Sequence, residues 1–189
     1  MKKTSLILTV FASILLLTSC VNTKDFSISN PDIKKLTYKA QELMNKEDYL
    51  GAIARLESVK DLNPNLPEIH YNLGVAYYRT AQYEKAVDSL ENALKLNKNL
   101  KDAYFTLAVV YEEMAVKESE TTKQVKDDRE KSGESSAKIK EYYEKAKENF
   151  AFYKDLTGIS EDTEKVEGKI KEFDEKIEKI SENLIYTNH

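Results

Sequence analysis

Apolar residues fall along the chain in two ways: as one run near the start, interrupted only by Thr9 and Ser13, and then as positions that recur every three or four residues. The run, Leu6 to Leu17, carries no charge. From Asn30-Pro31 onward the spacing is helical, with Asn30 placed as an N-cap and Pro31 as the first helical residue. Pro67 opens another helix where its missing N–H costs nothing. After Gly158, a helix stop signal, Val166, Ile170, Phe173, Ile177, Ile180 and Leu184 follow at spacings of 4, 3, 4, 3 and 4, which predicts one amphipathic helix over 159–186. Between Lys117 and Lys138 the pattern lapses, with six basic and six acidic residues and only Val125 and Ala137 apolar. Such a stretch cannot bury a core of its own. It is predicted to be mobile or to form solvated extensions of the flanking helices, and a functional role for so long an insertion stays open.

The helical region repeats. Residues 33–66 laid over 67–100 without a gap give identities at Tyr49/Tyr83, Ala52/Ala86, Leu56/Leu90, Glu57/Glu91, Leu62/Leu96, Asn63/Asn97, Asn65/Asn99 and Leu66/Leu100, a period of 34 residues. A fixed period of that size marks a stacked array. Leu73-Gly74, Tyr77, Ala86, Leu90 and Ala93 in the second copy resemble the tetratricopeptide repeat family, whose unit is helix, turn, helix. Gly74 and Ala86 are small where two helices must cross closely, and Leu73, Tyr77 and Leu90 supply the buried area. The first copy is more degenerate, keeping Ala40, Ala52 and Pro64.

A third copy begins at Tyr104, Leu107, Ala108 and Tyr111, but its second helix reappears late: Tyr143-Glu144-Lys145-Ala146 repeats Tyr83-Glu84-Lys85-Ala86. An insertion of about 26 residues, at about 117–138, therefore splits the repeat 101–157. The expected fold is all-α: a solenoid of three such repeats over 31–157 with a C-terminal helix. That last helix covers the open end of the array or, on the alternative its heptad spacing allows, forms the seam of a coiled-coil homodimer.

At the N-terminus Lys2 and Lys3, the apolar run and Leu17-Thr18-Ser19-Cys20 form the order of an export signal. The run is shorter than the about 20 residues that span a bilayer, which argues against a permanent transmembrane anchor. Leu17 to Cys20 resembles the lipobox of bacterial lipoproteins. That resemblance implies a signal peptide over 1–19, a covalent lipid on Cys20 and a tether over 20–30. Cys20 is the only cysteine, so no disulfide forms within the chain; a buried free thiol is the competing reading. Loss of Lys2 and Lys3 takes the formal charge from -4 to -6. An acidic surface argues against nucleic acid as a partner. Val21 follows the lipidated cysteine in place of the Asp that retains many lipoproteins at the inner membrane, which favours the outer membrane facing the periplasm, with the cell surface as the other location.

The inventory for catalysis is thin. The only histidines are His70 and His189, and with no spare cysteine they suggest no metal site and no cofactor beyond the lipid. Phosphate-cradling glycine loops, G-x-S-x-G and H-E-x-x-H are all missing, so no enzyme is expected.

The repeat resemblance implies a binding groove lined by one side of each first helix. Its positions here are Lys34, Thr37, Gln41, Met44 and Asn45, then Glu68, Tyr71, Val75, Tyr78 and Arg79, then Asp102, Phe105, Val109, Glu112 and Glu113. Met44, Tyr71, Val75, Tyr78, Phe105 and Val109 carry more apolar area than a solvated face should, with Val75 and Val109 equally readable as packing. Asn72 alone matches the lysine and asparagine clamp of one family subtype, so clamp-type binding of a carboxylate is not expected. These features suggest a membrane-anchored scaffold or assembly factor of the cell envelope that binds a partner protein or peptide. The alternative is a structural surface lipoprotein that self-associates through its last helix.

Overall fold

The computed structural model describes residues 30–124 and 129–187, and every element among them is a helix. In chain order these are α1 (Pro31–Asn45), α2 (Tyr49–Leu62), α3 (Pro67–Arg79), α4 (Tyr83–Leu96), α5 (Lys101–Gln124), α6 (Arg129–Thr157) and α7 (Glu161–Thr187). The signal segment, Cys20 and most of the tether lie outside the described residues. No helix among the described residues is long and apolar enough to cross a membrane.

The 34-residue period reappears as repeated local chemistry. Glu47 and Ala81, one period apart, each end the first turn of a hairpin loop at φ of 59° and 56°, left-handed values that a side chain adopts only at a cost. Asp48 caps α2 by accepting from the Gly51 N–H at 2.9 Å. Asn63 and Asn97 close their helices in the same way, each amide oxygen accepting from the backbone N–H two residues on, at 3.1 and 3.0 Å. Gly158, at φ 75°, ends α6.

Within the second hairpin, a Cβ on Gly74 would lie 2.5 Å from Leu90 Cγ and 3.3 Å from the Ala86 carbonyl oxygen. The small residue is a requirement of the crossing. Buried Leu73, Tyr77, Ala86, Leu90 and Ala93 fill the interior on either side. Between hairpins, Tyr77 donates to Glu57 at 2.7 Å and Tyr111 to Glu91 at 3.4 Å, the same bond one period later. His70 is buried against the Pro64 carbonyl, with Nε2 at 2.7 Å from its oxygen, which is a packing role.

The third hairpin is longer than the others. The inserted sequence continues α5 to Gln124 and starts α6 at Arg129, so its described residues take the form of helical extensions. Glu118 of α5 ties the two arms by accepting from Ser135 at 3.0 Å and from Lys138 at 3.2 Å.

Helix α7 runs back along α6. Phe173 is fully buried between Phe150 (ring centroids 6.0 Å) and Tyr143 (5.3 Å), and Val166 is buried as well. The apolar stripe is therefore spent on α6 at its N-terminal half, with Ile170, Ile177 and Ile180 half-buried. In register, α7 begins 60 residues after α5, one period plus the insertion, and so starts where the first helix of a fourth repeat would. The positions that would meet a fourth hairpin's second helix are Glu167, Gly168 and Lys171, all exposed. A polar face there ends the array.

Candidate functional site

Tyr71 and Tyr78 stand seven residues apart on α3, about 20° from alignment at about 100° per residue, and both are half-buried. The α5 helix lies beside them. Burial pushes the Tyr71 hydroxyl up to about 12, Asp102 adding to the effect and a hydrogen bond with Thr106 opposing it. Burial also raises Tyr78, followed by the charge of Glu113. Each phenol thus feels the charge of a carboxylate of the next repeat. Val75, between the two rings, is half-buried too.

Around this pair the other sequence-predicted residues divide. Arg79 places its guanidinium 5.8 Å from the centre of the Tyr49 ring, turned toward α2. Asn72 and Met44 are half-buried. On α5, Phe105 packs edge-on to Phe150 (5.5 Å) and Tyr153 (5.1 Å), and Val109 is 8% exposed. Packing therefore claims Val109 and much of Phe105. The reason is Tyr153, a large ring at the position where the second repeat has Ala93: it rises beside Phe105 and draws it into an aromatic cluster.

The structure adds neighbours that the sequence did not single out. Lys169 of α7 donates to Glu112 at 2.6 Å and lies 3.4 Å from Glu172, so α7 extends the polar wall of α5. Tyr83 sits 6.3 Å from Tyr78, ring to ring, beneath the Lys117 ammonium at 5.2 Å. Burial raises the Glu113 carboxyl above the usual carboxylate range, Glu112 and Glu120 add to this, and Lys169 opposes it. Glu68, Asp102 and Glu113 make no ion pair with another described residue. The described residues hold no group of three His, Cys, Asp or Glu that suits a metal ion.

Residues 40–80 match the family described as TPR repeat, and residues 67–100 match the family described as Tetratricopeptide repeat. Residues 40–100 are thus similar to tetratricopeptide repeats. Solved structures agree on the helical-repeat fold. The type III secretion chaperone SycD of Yersinia enterocolitica, in complex with a peptide of the translocator YopD, is 13% identical, with 83% of this chain and 98% of that chain covered at a TM-score of 0.55. The Sgt2 TPR domain from Aspergillus fumigatus is 22% identical over 81% of this chain and 83% of its own, at a TM-score of 0.53. The first TPR domain of human RPAP3 is 15% identical over 79% and 95%, also at 0.53. No curated protein matches. The surface of the repeats that remains open after packing is the strip of α3 carrying Tyr71, Val75 and Tyr78, bordered by Asp102 and Glu113.

Proposed function

We propose that this chain is a lipid-anchored, non-catalytic adaptor of the bacterial cell envelope that holds a partner protein or peptide against the first helices of its tetratricopeptide repeats. The observation that carries the reading is the pair Tyr71 and Tyr78, half-buried on one side of α3. A ring with one apolar face and one wet hydroxyl suits a recognition surface, because it supplies contact area while its polar end stays satisfied. Support for this mode of binding comes from SycD, the similar fold whose structure contains a peptide of its translocator. The lipid on Cys20 would hold the array at a membrane, the outer one facing the periplasm on the evidence of Val21, and no cofactor is needed.

Anchoring and recognition are tested separately. Cys20→Ala should release the protein from the membrane fraction after detergent-free lysis, since buried acyl carbons supply about 0.8 kcal/mol each and nothing else in the sequence replaces them. Retention of the variant in membranes would refute the anchor. Recognition is tested by the crosslinking measurement that closes the Discussion.

A further inference from the structure

The strip on α3 and α5 has a charge pattern that selects among partners. Asp102 and Glu113 are eleven residues apart on α5, a spacing that returns to within about 20° of the same side and spans about 16 Å along the helix. α3 packs beside α5, where Asp102 is the charge acting on Tyr71 and Glu113 the one acting on Tyr78. The cations of this wall are already engaged: Lys169 with Glu112 and Glu172, and Arg79 over Tyr49. Asp102 and Glu113 make no ion pair with a described residue. Glu113 is moreover crowded by Glu112 and Glu120, with Lys169, itself paired to Glu112 and Glu172, the cation that opposes them; an incoming cation there relieves repulsion as well as adding attraction.

We propose that this wall takes an extended, cationic segment of a partner protein, with two Lys or Arg side chains four residues apart, one seated between Tyr71 and Asp102 and the other between Tyr78 and Glu113. The proposal rests on the groove reading above and adds the chemistry of the occupant. An extended chain advances about 3.3 Å per residue and returns to the same face every second residue, so four residues put both cations on one face about 13 Å apart, and the length of the two side chains covers the rest of the about 16 Å between the carboxylates. Each cation would meet a carboxylate and the face of a phenol together, a combination stronger than either contact alone. Apolar side chains between the two cations would fall on Val75. An acidic segment would meet Glu68, Asp102, Glu112 and Glu113 and be repelled, and that repulsion makes the wall selective.

The test is fluorescence anisotropy with the full chain in non-ionic detergent and three labelled synthetic peptides of equal length. One has two lysines four residues apart around alanine and valine, one has the same lysines adjacent, and one has glutamates at the four-residue spacing. The first should bind at least tenfold more tightly than either of the others, and its Kd should rise several-fold between 50 and 300 mM salt, conditions we choose because screening of exposed pairs grows over that range. Asp102→Asn and Glu113→Gln should each weaken it about tenfold, while Glu84→Gln, on the exposed side of α4, should change nothing. Equal binding of the lysine and glutamate peptides, or full binding by the Asp102→Asn/Glu113→Gln double variant, would overturn the cationic occupant. A glutamate peptide that binds and is lost in Tyr78→Ala would overturn it too while leaving the groove reading intact. Circular dichroism of each variant confirms that the wall is still folded.

Discussion

The Tyr77 hydroxyl donates to Glu57 Oε1 at 2.7 Å, tying the first helix of one repeat to the second helix of the repeat before it. Tyr111 and Glu91 reproduce the bond one period on, at 3.4 Å. Glu57 is also paired with Lys60. Burial works against its charge, but the bonds from Lys60 and Tyr77 win and hold it below the usual carboxylate range. Tyr77→Phe should therefore destabilise the array by about 1.5–3 kcal/mol, the range for a hydrogen bond to a charged group. Tyr111→Phe should cost less because its bond is longer. Urea denaturation followed by circular dichroism measures both, and equal costs would mean that the bond length carries no information here.

The same tyrosines make the fold sensitive to alkali. Tyr71 and Tyr77 are pushed up to about 12, by burial first and then by Asp102 and Glu57 respectively, against about 10 in an unfolded chain. A raised folded value means that the stabilisation is fully present below pH 10 and is lost as pH rises through 12. The melting temperature should hold to about pH 9.5 and fall steeply above 10. In the Tyr71→Phe/Tyr77→Phe double variant the fall should be shallower, even though its melting temperature at neutral pH is lower. Parallel curves for the two proteins would show that other groups govern the alkaline limb.

Gly74→Ala sets two effects against each other. Alanine is the better helix former by about 1 kcal/mol, but its Cβ would stand 2.5 Å from Leu90 Cγ and close to the Ala86 carbonyl. Overpacking of this kind typically costs about 1–3 kcal/mol, so a net loss of roughly 1 kcal/mol is expected. Adding Leu90→Ala to Gly74→Ala should cost less than Leu90→Ala costs alone, because the clash disappears and the new methyl fills part of the space. Thermal melts of the three variants decide it: additive losses would mean that the two residues do not press on one another.

Much of this fold was legible because the period of 34 residues carries its own physical reasons. Gly74 and Ala86 announced the crossing, Pro31 and Pro67 the helix starts, and Gly158 the end of α6. The inserted segment was harder to read. Composition shows that Lys117 to Lys138 has no core, but whether it is mobile or helical depends on partners such as Glu118 with Lys138, which only the folded hairpin brings together. The stripe from Val166 to Leu184 is short for a coiled coil, which favoured a cap, although its heptad spacing allowed either. The burial of Phe173 against Tyr143 and Phe150 places it on α6. Within the candidate site, Tyr71 and Tyr78 were visible as rings on one helical side, whereas the packing of Phe105 was missed. A sign of it was present: Tyr153 lies 60 residues after Ala93, a bulky ring at a small-residue position. The neighbours Asp102 and Glu113 gained meaning only once α5 was set against α3.

The central claim is that the strip of Tyr71, Val75 and Tyr78 binds a partner, and crosslinking in living cells tests it most directly. A photo-crosslinker at Val75 should capture one defined envelope protein, the same one captured from position Tyr78, while a crosslinker at exposed Asp88 on α4 should not. Aromatic anchors typically contribute about 2 kcal/mol or more each when truncated. Tyr71→Ala with Tyr78→Ala should therefore cut capture at Val75 by roughly a hundredfold or more if the two contributions add, while the purified variant keeps its helical signal and a cooperative melt. A double variant that stays folded and captures as well as the parent, or one that no longer folds, would contradict the assignment of these two rings to recognition.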